Sequence, residues 1–109
     1  MDDALLNEGL ELALEWGANW LKPINERLAE RHPAMSAEEL EAANKACQQA
    51  MYAGFEQVVA SLRAANRSEA IARGDYERAM RARFAWISPA NLGRVFSQGC
   101  YYAWKDGEL

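Results

Sequence analysis

Apolar residues recur at intervals of three and four along nearly the whole chain, and that period predicts helices throughout. Leu6, Leu10, Ala13, Gly17, Trp20, Ile24 and Leu28 trace one stripe. It predicts a first long helix from about Asp3 to Arg31. Leu5, Leu12, Leu14, Trp16 and Leu21 widen the stripe, as expected of a helix that meets more than one neighbour. Pro23 falls inside this span. It lacks a backbone donor and crowds the carbonyl four residues back, so a kink or a break is expected near Lys22.

Pro33 disfavours helix at His32, and His32-Pro33-Ala34-Met35 reads as a turn. Ser36-Ala37-Glu38-Glu39 follows as a capping box, with hydroxyl and carboxylate each serving the other residue's amide. A second long helix is predicted from Ala37 to about Ala65, with Leu40, Cys47, Met51, Phe55, Val58 and Leu62 inward. Two rows of small residues stand four apart, Gly9-Ala13-Gly17 and Ala42-Ala46-Ala50-Gly54. Glycine inside a helix costs about 1 kcal/mol relative to alanine. The rows are therefore expected to mark close helix packing, with ridges of one helix in grooves of the other.

Punctuation is denser beyond residue 65. Asn66-Arg67-Ser68-Glu69 reads as a turn, with Asn66 as terminator or Ser68 as a new cap, and Gly74-Asp75 as a further weak point. Either the second helix runs on with a kink, or a short helix lies between these signals. From Asp75 a third helix turns Tyr76, Met80, Phe84 and Ile87 inward and Arg78 and Arg81 outward. A fourth starts with Ser88 as cap and Pro89 at its first position, and ends with Lys105 in its last turn and Gly107 just beyond. Its inner face is Leu92, Val95, Phe96, Gly99 and Ala103. The expected fold is all-α: a four-helix compact bundle or orthogonal array, two long antiparallel helices followed by two shorter ones, forming one domain over residues 1–109.

Composition supports this reading. Thr is absent, Val and Ile total six, and Ala, Leu, Glu and Arg abound, all residues that lose little rotamer freedom in helices. Met1-Asp2-Asp3-Ala4 lacks the basic region of a signal peptide, and no apolar run approaches the ~20 residues that span a bilayer. A cytoplasmic protein off the membrane is expected. Cys47 and Cys100 are then expected as small buried thiols.

The net charge of −4 is unevenly placed. Residues 1–62 carry −7, and residues 63–94 carry +4 from seven arginines and three acids. Arg63, Arg67, Arg73, Arg78, Arg81, Arg83 and Arg94, with Tyr76, Phe84 and Trp86 among them, could meet phosphates. A nucleic-acid module is usually basic as a whole, whereas this chain has a pI near 5.0. Ion pairing within the fold or across a dimer is therefore favoured.

Candidate chemistry is thin. His32 is the only histidine and stands in a turn, and the cysteines lack metal-ligand spacing. Glu11 with Glu15, and Glu26 with Glu30, share helix faces without histidine partners, so they read as solvated acids. No nucleophile motif or phosphate-cradling glycine loop is present. No catalytic residue, metal or cofactor is expected. An enzyme would need a pocket near Trp16, Trp20 and Tyr102.

The remaining feature is Tyr101-Tyr102-Ala103-Trp104. Successive helical positions point about 100° apart, so one core cannot cover them all. Tyr, Trp and Arg are also enriched at interface hot spots. The expectation is a non-enzymatic protein acting through protein–protein contact, itself a candidate partner as a homodimer. Arg78, Arg81, Arg94, Tyr101 and Trp104 form the candidate contact surface. Two alternatives stay open: a nucleic-acid-binding module using residues 63–94, and a small inhibitor whose acidic first half (Glu8, Glu11, Glu15, Glu26, Glu30) imitates nucleic-acid charge.

Overall fold

The structure is a computed structural model that describes residues 1–107. All regular structure among them is helical. There are five α-helices: α1 (Asp3–Ala13), α2 (Asn25–Arg31), α3 (Ala37–Ala64), α4 (Glu69–Arg83) and α5 (Pro89–Lys105). None of them is long and apolar enough to cross a membrane. The chain divides into two compact units, Met1–Met51 and Tyr52 onward, and α3 contributes to both.

In the first unit, the predicted first long helix is corrected to α1, a single 3-10 turn at Gly17–Asn19, and α2. The helix count therefore rises from four to five, and only α3, at 28 residues, is long. The chain leaves helical geometry well before Pro23. Trp16 is extended, Gly17 has a φ of 88° and Leu21 a φ of 63°. Glycine takes such angles freely, whereas at Leu21 the left-handed conformation is strained.

Side chains from elsewhere hold this break open. The Ile24 amide donates to Asn44 Oδ1 on α3 at 3.0 Å. Arg27 Nη1 donates to the Leu12 carbonyl and to Glu15 Oε2, each at 2.7 Å, while Nη2 reaches the Lys22 and Pro23 carbonyls at 3.2 and 3.3 Å. One guanidinium thus serves carbonyls on both sides of the gap.

Leu10, Ile24, Leu28, Ala43 and Cys47 are fully buried in this unit. A Cβ on Gly9 would stand 2.8 Å from Cys47 Sγ, so the close packing expected at Gly9 is present. The expected interlocking rows are not. Gly17 has no atom within 4 Å of where its Cβ would be and serves backbone geometry instead. Of the second row, Ala42 is exposed and Ala46 half-buried, whereas Ala50 and Gly54 are buried.

The capping box opens α3 as predicted. The Glu39 amide donates to Ser36 Oγ at 3.1 Å, and the Ser36 amide donates to Glu39 Oε1 at 2.9 Å. These bonds hold the Glu39 carboxyl below its ordinary pKa.

In the second unit, α3 ends in two left-handed residues, Asn66 (φ 51°) and Arg67 (φ 69°). The Arg67 amide closes back on the Leu62 carbonyl at 2.8 Å, as in a Schellman-type stop. Ser68 then caps α4. Both signals in Asn66–Ser68 are used. Gly74-Asp75 is not a boundary, and the third predicted helix begins at Glu69 rather than Asp75. The Asp75 carboxylate does not cap a helix start: it accepts from the buried Ser61 hydroxyl at 2.7 Å.

Tyr76, Met80, Phe84 and Ile87 point inward as expected. The Tyr76 hydroxyl donates to the Leu92 carbonyl of α5 at 2.8 Å, and burial raises its pKa. α5 meets α3 through glycines on both helices. A Cβ on Gly99 would lie 2.8 Å from Val58 Cγ2, and one on Gly54 would collide with Val95 Cγ1.

Candidate interaction surface

The inner face of α5 is decided by its sequence. Leu92, Val95, Phe96, Gly99 and Ala103 are all buried, as predicted. Asn91 and Gln98 are buried as well. Arg94, Ser97, Tyr101 and Trp104 are exposed, at successive intervals of three, four and three. At about 100° per residue these four fall on one stripe roughly opposite the core. Trp104 is the most exposed large apolar residue among those described, at 75%, and Tyr101 is 44% exposed.

The aromatic end of α5 is thereby split. Tyr102 leans inward, its ring 5.9 Å from Phe55, and meets Tyr101 edge-on at 5.3 Å. Lys105 Nζ lies 5.9 Å above the Tyr101 ring. Such an exposed cation–π contact is worth about 0.5–1 kcal/mol, enough to bias a rotamer. Arg94 Nη1 donates to Asn91 Oδ1 at 2.8 Å, which holds its guanidinium back toward the preceding turn.

Arg78 and Arg81 belong to the outer face of α4. They point outward as predicted, with side chains 77% and 61% exposed. Each reaches a carboxylate on its own helix: Arg78 to Asp75 at 3.7 Å, Arg81 to Glu77 at 3.8 Å. Arg73 Nε donates to Glu77 at 3.2 Å and its guanidinium lies 5.5 Å from the centre of the Phe96 ring. Arg83 covers Phe84 at 5.1 Å. Much of the arginine-rich segment is therefore engaged with acids and rings of its own unit. Exposed pairs of this kind contribute little to stability but lower the local positive potential.

Two further features lie in the first unit. Trp16 stacks on Trp20 with ring centres 4.8 Å apart, and Trp16 is 56% exposed. An open cleft of about 590 Å³ is lined by Asn19, Lys22, Asn25, Glu26, Glu41 and Asn44, among others. Within it Asn25 Nδ2 donates to Glu41 Oε2 at 3.2 Å, and Asn25 Oδ1 is buried without a hydrogen-bond partner. The lining mixes both charges and holds no Ser, Cys or His that could act as a nucleophile or base.

His32 Nε2 lies 2.8 Å from both Glu8 oxygens, tying the end of α2 to α1. Among the described residues no three His, Cys, Asp or Glu side chains converge as metal ligands would. Cys47 and Cys100 are free thiols. Burial raises them, to about 12 and about 11 respectively.

Sequence reasoning picked Arg94, Tyr101 and Trp104 but passed over Ser97, which completes their stripe. The 3-4-3 spacing was the available signal. Arg27 and the cleft beside it carried no local signal, because their partners come from distant positions. Comparison with family models, with curated proteins and with solved structures finds no match to this chain.

Proposed function

We propose that this protein works without enzymatic chemistry, by docking the outer face of α5 on a protein surface. The observation that carries this reading is the exposed stripe of Arg94, Tyr101 and Trp104 on a helix whose other face is fully packed. Tyr, Trp and Arg hold large contact area at little conformational cost and dominate interface energetics. Arg78 and Arg81 add a cationic margin from α4. Their carboxylate partners make that margin better suited to a mixed protein surface than to a phosphate backbone. Two free thiols suit a reducing compartment, and we place the protein in the cytoplasm.

The test is capture from the native host with the intact chain beside Trp104→Ala and Tyr101→Ala. A protein, whether another chain or an untagged copy of this one, is expected on the unsubstituted bait and lost from both variants. Equal recovery by all three baits overturns the reading.

A further inference from the structure

We propose that the cleft of the first unit binds a small zwitterion, a free α-amino acid, held at its two ends by groups of opposite charge. The cleft volume of about 590 Å³ falls inside the roughly 300–1,000 Å³ of small-molecule sites. Its lining is polar but for Pro23, which suits a ligand with a short or polar side chain.

Charges of both signs face this cleft without cancelling. Lys22 and Glu26 both line it, and among the described residues neither side chain makes an ion pair or a hydrogen bond. Arg27, the other cation of the lining, is engaged by Glu15 and by the carbonyls of Leu12, Lys22 and Pro23. Glu41 accepts only from the neutral Asn25 amide, at 3.2 Å. Opposite charges set around one space, rather than on each other, complement a ligand that carries both.

Two asparagines supply the neutral half of the site. Asn44 is 6% exposed, and its Oδ1 accepts from the Ile24 amide. That bond fixes the amide and leaves Nδ2 as a donor without a partner among the described residues, on a side chain that lines the cleft. Asn25 has the converse arrangement: Nδ2 is taken by Glu41, and the buried Oδ1 has no donor. Both amides are anchored at consecutive backbone positions, Ile24 and Asn25. A sheltered amide atom without a partner is costly, so each gains from a ligand group of the matching type.

An ammonium brings three donors, which suit Asn25 Oδ1 and the carboxylates of Glu41 and Glu26. A carboxylate accepts from Lys22 and from Asn44 Nδ2. An α-amino acid carries both groups on one carbon, whereas a simple amine or acid satisfies one end only. These contacts bind and orient, and no bond of the ligand is broken.

NMR titration of the full chain with each protein L-amino acid tests the site, with ethylamine and propionate as single-charge probes. At least one amino acid should bind with a Kd of about 1 mM or below and shift the side-chain amide signals of Asn25 and Asn44. Ethylamine and propionate should bind at least about tenfold more weakly, and Lys22→Gln and Glu41→Gln should each weaken the amino acid about tenfold. Lys22 and Glu41 are exposed, so the fold tolerates both changes. Asn44→Asp keeps the acceptor for Ile24 but replaces the donor with negative charge, and should abolish binding. Lys45→Gln removes an exposed charge of α3 outside the lining and should leave affinity unchanged. No amino acid bound at millimolar concentration overturns the site. Ethylamine or propionate bound as tightly as the amino acid overturns recognition at two ends, and the proposal with it. Affinity unmoved by Lys22→Gln and Glu41→Gln puts the ligand elsewhere and overturns the assignment. None of these outcomes bears on the docking role of α5.

Discussion

Arg27 Nη1 donates to the carbonyl of Leu12 at 2.7 Å, across fifteen residues of chain. The bond serves a carbonyl in the last turn of α1, where helices leave such groups without intrahelical partners. The same nitrogen meets Glu15, and the guanidinium is mostly sheltered, its side chain 18% exposed. With Asn44 on the Ile24 amide, this planar, multidentate donor holds the bend between α1 and α2.

Arg27→Ala should therefore cost about 2–3 kcal/mol, the range for losing charge-assisted hydrogen bonds at a partly buried site. Arg27→Lys should recover only a minor part, because an ammonium cannot fork between the two ends of the break. Urea denaturation of the three proteins measures this, and a lysine variant as stable as the parent would contradict it.

Gly99 faces Val58 too closely for a side chain, with the nearest atom 2.8 Å from an added Cβ. Gly99→Ala should destabilise by about 1–3 kcal/mol, the usual range for overpacking. Val58→Ala alone should also destabilise, through the cavity it leaves. The double variant should be more stable than the sum of the two losses. A thermodynamic cycle from thermal melts reads the coupling, and strict additivity would refute the contact.

The capping box gives a pH dependence with a definite sign. The folded-state pKa of Glu39 is depressed below the ordinary carboxyl value by its bonds to Ser36, the backbone amide first and then the hydroxyl. A depressed carboxyl contributes stability above the unfolded pKa, and loses it as pH falls through the folded one. The melting temperature should drop on acidification through the carboxylate range. Glu39→Gln, which removes the titrating carboxyl, should flatten that part of the curve, and an unaltered curve would show that the Glu39 carboxylate contributes nothing.

The thiols predict the opposite slope at high pH. Both are raised by desolvation, Cys47 from 9.0 to about 12 and Cys100 from 9.0 to about 11. A raised acid stabilises the fold below its unfolded pKa, and that contribution is lost as pH rises toward the folded one. Stability should decline from pH 9 upward. At mildly alkaline pH both thiols should react slowly with a disulfide reagent, Cys47 more slowly than Cys100. Denaturant should make both fast, and a native Cys47 as reactive as an unfolded one would refute its burial.

The parts of the fold legible in the sequence were those specified locally. The capping box at Ser36, the cap-and-proline start at Ser88, the stop at Asn66 and the inner faces of α3 and α5 each depend on residues within a turn or two. The break expected near Lys22 from Pro23 is present, but its early start after Ala13 was not legible, because the period of three and four continues through Trp20 and Ile24 although the backbone does not. What ends α1 there is tertiary: Arg27, and Asn44 from α3. Gly74-Asp75 was misleading for the same reason, since Ser61 rather than the local backbone takes the Asp75 carboxylate. The outer stripe of α5 was half legible. Its aromatic and arginine members stood out by type, while Ser97 stood out only by spacing.

The fit of α5 against α3 has a further consequence. Val58 sits against Gly99 and Val95 against Gly54, so each helix holds a branched side chain against the bare backbone of the other. Rotating α5 by even one position would drive Val95 out of its slot, so the azimuth of the helix is locked. Whatever docks on Arg94, Tyr101 and Trp104 meets a preorganised template. Only side-chain rotamers remain to be ordered on binding, and for the two aromatic residues those are few.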